Sequence, residues 1–272
     1  MSNLAVRIAT AAVVVPVVVA GLLLLPPVAT LVMAVIASTA GGYELLGLFG
    51  HPARGPLRIA GSLLGGMLVA VVYAVGHRPE LLLLSLSSIL IVALLLGLLG
   101  TGEMKKVGRK QAGLCLAALY PAIFMSLIAL IRRDVPHGGL WVIVALATAF
   151  LSDTGAYFAG RFLGRHKLAP RLSPKKTIEG SLGGILGSLA TCVFASYVLI
   201  PSLPLLHAAL LGVLGSIVGQ AGDLVESLLK RASDTKDTGS FFPGHGGMLD
   251  RIDAAVFTTV LFYGYLYFWA VP

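Results

Sequence analysis

The sequence predicts an all-α, polytopic integral membrane protein with about nine transmembrane helices and a cytoplasmic N-terminus. Three observations predict it. The 272 residues are 57% hydrophobic and 12% charged, with a mean hydropathy of +0.93, outside the range of soluble globular domains. Apolar windows of about 20 residues recur along the chain, each long enough for a hydrocarbon core about 30 Å thick. With the N-terminus inside, seventeen of the 20 Lys and Arg residues fall on the cytoplasmic side and three, Arg78, Arg132 and Arg133, on the other.

The first window, 8–25, follows Arg7; it is long and lacks a small-residue cleavage site, so it reads as a span and not as a signal peptide. Pro26 and Pro27 separate it, by a turn or a kink, from the second window at 28–50. Windows at 58–76, 80–100 and 112–132 complete an N-terminal half whose only acids, Glu44, Glu80, Glu103 and Asp134, stand near span ends. Residues 1–136 therefore read as a scaffold of transmembrane helices. Windows at 139–160, 181–200, 204–229 and 254–271 follow, and residues 137–272 read as the catalytic region. Its cytoplasmic loops, 161–180 and 230–253, are long and polar, whereas segments assigned outside are a few residues each. The net charge of +8 is absorbed by this topology, which removes the case for a nucleic-acid partner. Cys115 and Cys192 sit in apolar stretches and carry no redox or metal pattern.

Ionisable groups inside spans are expensive unless paired or facing a wet cavity, which makes them site candidates. Asp153, in LSDTGAYFAGR, is one; a hydrogen bond between helices is the alternative. Asp223 and Glu226, in GQAGDLVESLLKR, are two more, and their spacing puts Asp223, Glu226 and Lys230 on one helix face. A bound cation would reconcile the two acids, while a plain intrahelical pair of Glu226 with Lys230 is the other reading. The stretch from Ser227 to Asp253, SLLKRASDTKDTGSFFPGHGGMLDRID, mixes basic residues, four aspartates and glycines around His245. Ammonium and guanidinium groups neutralise phosphate oxygens, glycines let backbone N–H groups approach them, and carboxylates hold magnesium. In LSPKKTIEGSLGG, Ser173, Lys175, Lys176 and Thr177 cluster before a span, either as a membrane anchor or as a clamp for phosphate. Walker A, HExxH, CxxC pairs and GxSxG are absent.

The loop after the eighth window resembles the phosphatidate cytidylyltransferase (CDP-diacylglycerol synthase) family. The resemblance rests on Ser227, Lys230, Arg231, Lys236, Asp237, His245, Gly246, Gly247, Asp250, Arg251 and Asp253, all in register, and extends to SPKKTIEG and the nine-span size. It implies that the phosphate of phosphatidate attacks the α-phosphorus of CTP and expels pyrophosphate, with Mg2+ or another divalent cation and an optional second metal ion. Under that resemblance Asp223 and Asp250 are expected to hold metal, with Asp237 and Asp253 next. Lys230, Lys236, Asp237, His245, Arg251 and Asp253 form the expected catalytic set. Asp153, Ser173, Lys175, Lys176, Thr177, Ser227, Arg231, Gly246 and Gly247 are expected to bind substrate. The resemblance also implies a homodimer among membrane lipids. The long polar inside loops predict a site facing the cytoplasm, and the short N-terminus without long tails reads as bacterial, in the cytoplasmic membrane.

Other functions fit less well. A CTP-dependent lipid-alcohol kinase would share the setting but not the in-register loop. A CDP-alcohol phosphotransferase would need DGxxAR, which is absent. A secondary transporter would carry polar or broken helices at the midplane in both halves, and the inert first half and one-sided polar loops disfavour that.

Overall fold

Prolines set the first helix starts. Pro27, Pro56 and Pro79 open α2 (Pro27–Leu48), α3 (Pro56–Val75) and α4 (Pro79–Gly97), at the first helical position, where a missing N–H removes no intrahelical hydrogen bond. The computed structural model describes residues 3–76, 78–235, 238–239, 241 and 246–270. Helix α1 (Asn3–Leu23) precedes these three, and α5 (Met104–Asp134), α6 (Gly138–Phe162), α7 (Ile178–Val198), α8 (Leu205–Ala232) and α9 (Leu249–Tyr265) follow. A π-helical turn, Leu266–Ala270, extends α9. Eight of these helices, α2 to α9, are long and apolar enough to cross a membrane, the last together with its π turn as Leu249–Trp269. In α1 the qualifying apolar stretch, Ala12–Leu23, is shorter. The chain is thus an all-α, multi-pass membrane protein.

Helix edges differ from the apolar windows where polar residues keep helical form. α5 begins at Met104, ahead of the window at 112, because its polar start is closed by Glu103, whose carbonyl accepts from Lys106 N and Val107 N at 2.9 and 3.0 Å. α1 ends at Leu23 and α2 starts at Pro27, so the diproline is a turn between two helices and not a kink within one.

Packing divides the chain into two units, residues 1–133 with 232–251, and residues 134–231 with 252–272. The sequence reading divides scaffold from catalytic region at 136/137; the packing units group Ala232–Arg251 with residues 1–133. In that unit α2 packs along α3, and α3 against α4. Arg132, in the last turn of α5, donates to the carbonyls of Leu22 and Leu25 at 2.9 Å each, satisfying acceptors that the end of α1 leaves open.

In the second unit the dominant contact is α6 on α7. Two glycines permit it: a Cβ on Gly155 would come within 2.4 Å of the Gly183 carbonyl, and one on Gly183 within 2.3 Å of Ala159 Cβ. Buried hydroxyls then tie the helices together, as interhelical hydrogen bonds do in membranes. Ser152 meets Ser216 at 2.7 Å, Ser188 donates to the Thr148 carbonyl at 2.8 Å, and Thr258 of α9 reaches the Gly215 carbonyl at 3.3 Å.

Between α6 and α7 the segment read as a loop contains a two-stranded antiparallel hairpin, β1 (Lys167–Ala169) and β2 (Ser173–Thr177), with Lys167 opposite Thr177 and Ala169 opposite Ser173. Glu179, in the first turn of α7, holds its base. The carboxylate accepts from Arg165 N at 3.0 Å and His166 N at 3.2 Å, and meets the His166 ring at 2.6 Å. Thr177 caps α7 by accepting from Gly180 N at 3.1 Å.

Candidate active site

Helix α8 carries no Asp, Glu, Lys or Arg before Asp223, and then presents Asp223, Glu226 and Lys230 along one face as their spacing requires. Helix α9 brings Asp253 to the same place. One carboxylate oxygen from each of Asp223, Glu226 and Asp253 lies within 4.8 Å of the others, and Glu226 is wholly buried. Three carboxylates so close repel one another unless cations intervene. Two lysines supply part of the compensation: Lys176 from β2 pairs with Asp223, and Lys230 pairs with Glu226 at 3.2 Å. Two ammonium groups thus stand against three acidic side chains. Carboxylate oxygens are hard donors that suit a divalent cation such as Mg2+, so these three acids could hold one.

Beside the cluster, in the same unit, is a cavity of about 360 Å³. Asp223 and Lys176 form part of its wall, with Asp153, Lys175 and Thr177. Tyr157 and Arg161, whose guanidinium donates to the Tyr157 hydroxyl at 2.7 Å, line another part. Gln220 completes it. Its amide nitrogen donates to the Ser181 carbonyl at 3.2 Å and to Ser216 at 2.9 Å, fixing the side chain between α7 and α8. The space is thus lined by both carboxylates and basic groups, the polarity that a phosphorylated substrate with a metal ion requires.

The other expected residues are distributed as follows. Ser173 starts β2 opposite Ala169 and is not among the lining residues. Arg231 is exposed, and its Nε donates to the Leu172 carbonyl at 3.4 Å, bracing the hairpin turn. Ser227 is half-buried on α8. In the first unit, Gly246 adopts a positive φ of 81°, the left-handed region that favours glycine, and Arg251 is exposed at the start of α9. Asp250 Oδ2 accepts from Thr238 N at 3.1 Å, Thr238 Oγ1 at 2.9 Å and Gly247 N at 2.9 Å. That oxygen is therefore engaged within the loop. Lys236, Asp237 and His245 lie outside the described residues.

Sequence reasoning passed over Gln220, although it stands one turn before Asp223, and Glu44, which it read as one acid near a span end. Glu44 is buried and accepts three hydrogen bonds from residues of the signature loop.

The sequence pattern of the cytidylyltransferase family matches residues 5–269, nearly the whole chain. The chain belongs to the cytidylyltransferase family. Within it, relatives of this cytidylyltransferase-family chain include proteins named phosphatidate cytidylyltransferase. One from Bacillus subtilis (strain 168) is 40% identical over 148 residues, 54% of this chain and 55% of that protein. Another from Synechocystis sp. is 47% identical over 131 residues, 48% of this chain and 44% of that protein. A third from Brucella suis is 43% identical over 152 residues, 54% of each. The chain spans about half the length of the curated relatives it matches.

Proposed function

We propose that this chain is a phosphatidate cytidylyltransferase, joining phosphatidate and CTP into CDP-diacylglycerol with release of pyrophosphate. The observation that carries the proposal is the meeting of Asp223, Glu226 and Asp253 beside a cavity with Lys175 and Lys176, in a chain of this family. A phosphate oxygen of phosphatidate forms a bond to the α-phosphorus of CTP, and the bond from that phosphorus to the oxygen bridging the β-phosphate breaks, its electron pair leaving with pyrophosphate. Phosphatidate is an anion near neutral pH, so the attack needs no strong general base. The harder requirement is to bring two polyanions together, which positioned positive charge accomplishes.

Asp223, Glu226 and Asp253 are the residues proposed to hold Mg2+. When bound, the ion supplies charge neutralisation at the phosphate oxygens and at the leaving pyrophosphate. Lys176 and Lys230, already seated on two of these carboxylates, are the side chains nearest to share phosphate charge, and Lys175 and Arg161 extend the basic wall. Gln220 holds the wall's shape. The cavity's place on membrane-crossing helices suits a lipid that arrives sideways and a nucleotide that arrives from water.

The positive-inside distribution supports a cytoplasmic site with the N-terminus inside, in a bacterial inner membrane, and the family resemblance supports a homodimer. The test is pyrophosphate release by the purified, reconstituted chain. It should require phosphatidate, CTP and Mg2+ together, and should fall at least about a hundredfold in Asp223→Asn. Release that ignores phosphatidate, or that survives the substitution, would refute the proposal.

A further inference from the structure

Glu44 lies in α2, in the half of the sequence that otherwise reads as inert scaffold, and is 6% exposed. Its two oxygens take three donors, all from the signature loop. Oε2 accepts from Thr238 Oγ1 at 3.1 Å and Leu249 N at 2.9 Å, and Oε1 accepts from Met248 N at 3.0 Å. Met248 and Leu249 form the N-terminal edge of α9, where backbone N–H groups lack helical partners. Thr238 is on the loop's outgoing arm, so one carboxylate joins both arms. Thr238 Oγ1 also lies 2.9 Å from Asp250 Oδ2, so its single hydroxyl hydrogen is shared between the two carboxylates and links Glu44 to the first acid of the D-R-x-D element. The glycines nearby fit the same account. A Cβ on Gly239 would come within 2.5 Å of Glu44 Oε1, and one on Gly247 within 2.3 Å of Oε2. Neither backbone φ is in the left-handed region, so space around the carboxylate, not conformation, is what requires glycine there.

We propose that Glu44 is the positioning residue of the signature loop: its carboxylate clamps the outgoing arm at Thr238 to the start of α9 and thereby fixes Asp250 and Arg251 for the reaction. This rests on the function proposed above. A carboxylate is needed because all three groups donate. In Glu44→Gln one oxygen becomes an NH2, which confronts backbone N–H groups that cannot turn round, and a buried donor is left without an acceptor.

The test uses the full chain in nanodiscs and two independent readouts. In the exchange arm, the Met248 and Leu249 amides should be protected from hydrogen exchange in the parent and lose that protection in Glu44→Gln and Glu44→Ala, while protection in α6 and α7 is retained. In the kinetic arm, with phosphatidate, CTP and Mg2+, kcat should fall about tenfold in Glu44→Gln and about a hundredfold in Glu44→Ala, as misplacement by about 1 Å does, with KM for CTP changing less than about threefold. Gly239→Ala guards against a variant that fails to fold. It should lower kcat alone, and add little in the Glu44→Ala background, since the atom it strikes is gone. Unchanged protection, additive effects, or lost protection with normal kcat would each overturn the proposal. A parent that makes no CDP-diacylglycerol would refute the function instead, and the exchange arm alone would then decide the clamp.

Discussion

Asp253 reaches Asp223 and Glu226 because α9 begins at Leu249, which puts it one turn inside the helix. If these three carboxylates hold the ion, neutralising any one weakens metal binding as well as turnover. Asp223→Asn, Glu226→Gln and Asp253→Asn are each expected to cut kcat/KM by about a hundredfold or more and to raise the Mg2+ concentration for half-maximal rate. Lys176→Met should cost more than Lys175→Met, because Lys176 is paired to Asp223 and Lys175 is exposed. Mg2+ titrations of initial rate check all five variants, and equal Mg2+ dependence in parent and acid variants would remove the metal role. The sequence pointed to Asp223 and Glu226 because acids inside an apolar span are conspicuous. It ranked Asp250 above Asp253, and no spacing rule separates two aspartates of one D-R-x-D run; where the helix starts decides which faces what. Glu44 was not legible at all, since its partners Met248 and Leu249 are 204 and 205 positions away.

Among the elements, the spans were readable from length and from proline punctuation, and the hairpin was not. Strands of three and five residues leave too little alternation to read, and Glu179, which closes their base, looks like any acid in a first helical turn. The α6–α7 contact has little tolerance. Gly155→Ala places a methyl within 2.4 Å of the Gly183 carbonyl, which is backbone and cannot rotate away. We expect a loss of roughly 1–3 kcal/mol, read as a lower Tm in detergent, with unfolding at the parent's temperature contradicting the packing. The junction of α2 and α5 carries a pH dependence. His51, in the segment after α2, is buried with Nε2 3.0 Å from the Lys110 carbonyl of α5. Burial holds its pKa below the ordinary 6.5, and the charges of Lys110 and Arg58 act in the same direction, against the backbone hydrogen bond. The unfolded chain therefore binds this proton more readily than the folded one, so stability is retained above about pH 6.5 and declines as pH falls through the folded-state value. His51→Gln keeps a donor for Lys110 and should flatten that part of a Tm-against-pH profile; an unaltered slope would show that His51 does not contribute.

At the scale of the molecule, hydropathy alone was enough to identify a multi-pass helical protein, because a chain in lipid must satisfy its backbone internally. Sidedness comes from the basic residues. A cysteine placed at Ala169 in the hairpin should be labelled by an impermeant reagent from the cytoplasmic side, and one at Val135 from the opposite side; the reverse pattern would invert the proposed orientation. The cavity with its acids and lysines gives the setting for phosphate chemistry, but a nucleotidyl transfer and a phosphoryl transfer from CTP would use similar groups, so the atom transferred is the deciding quantity. The most direct measurement supplies the reconstituted protein with phosphatidate and with CTP labelled at either the α- or the γ-phosphorus, and follows label into the lipid phase. The α-label is expected in CDP-diacylglycerol and the γ-label only in released pyrophosphate. Label entering lipid from the γ-position would contradict it and identify a CTP-dependent lipid kinase.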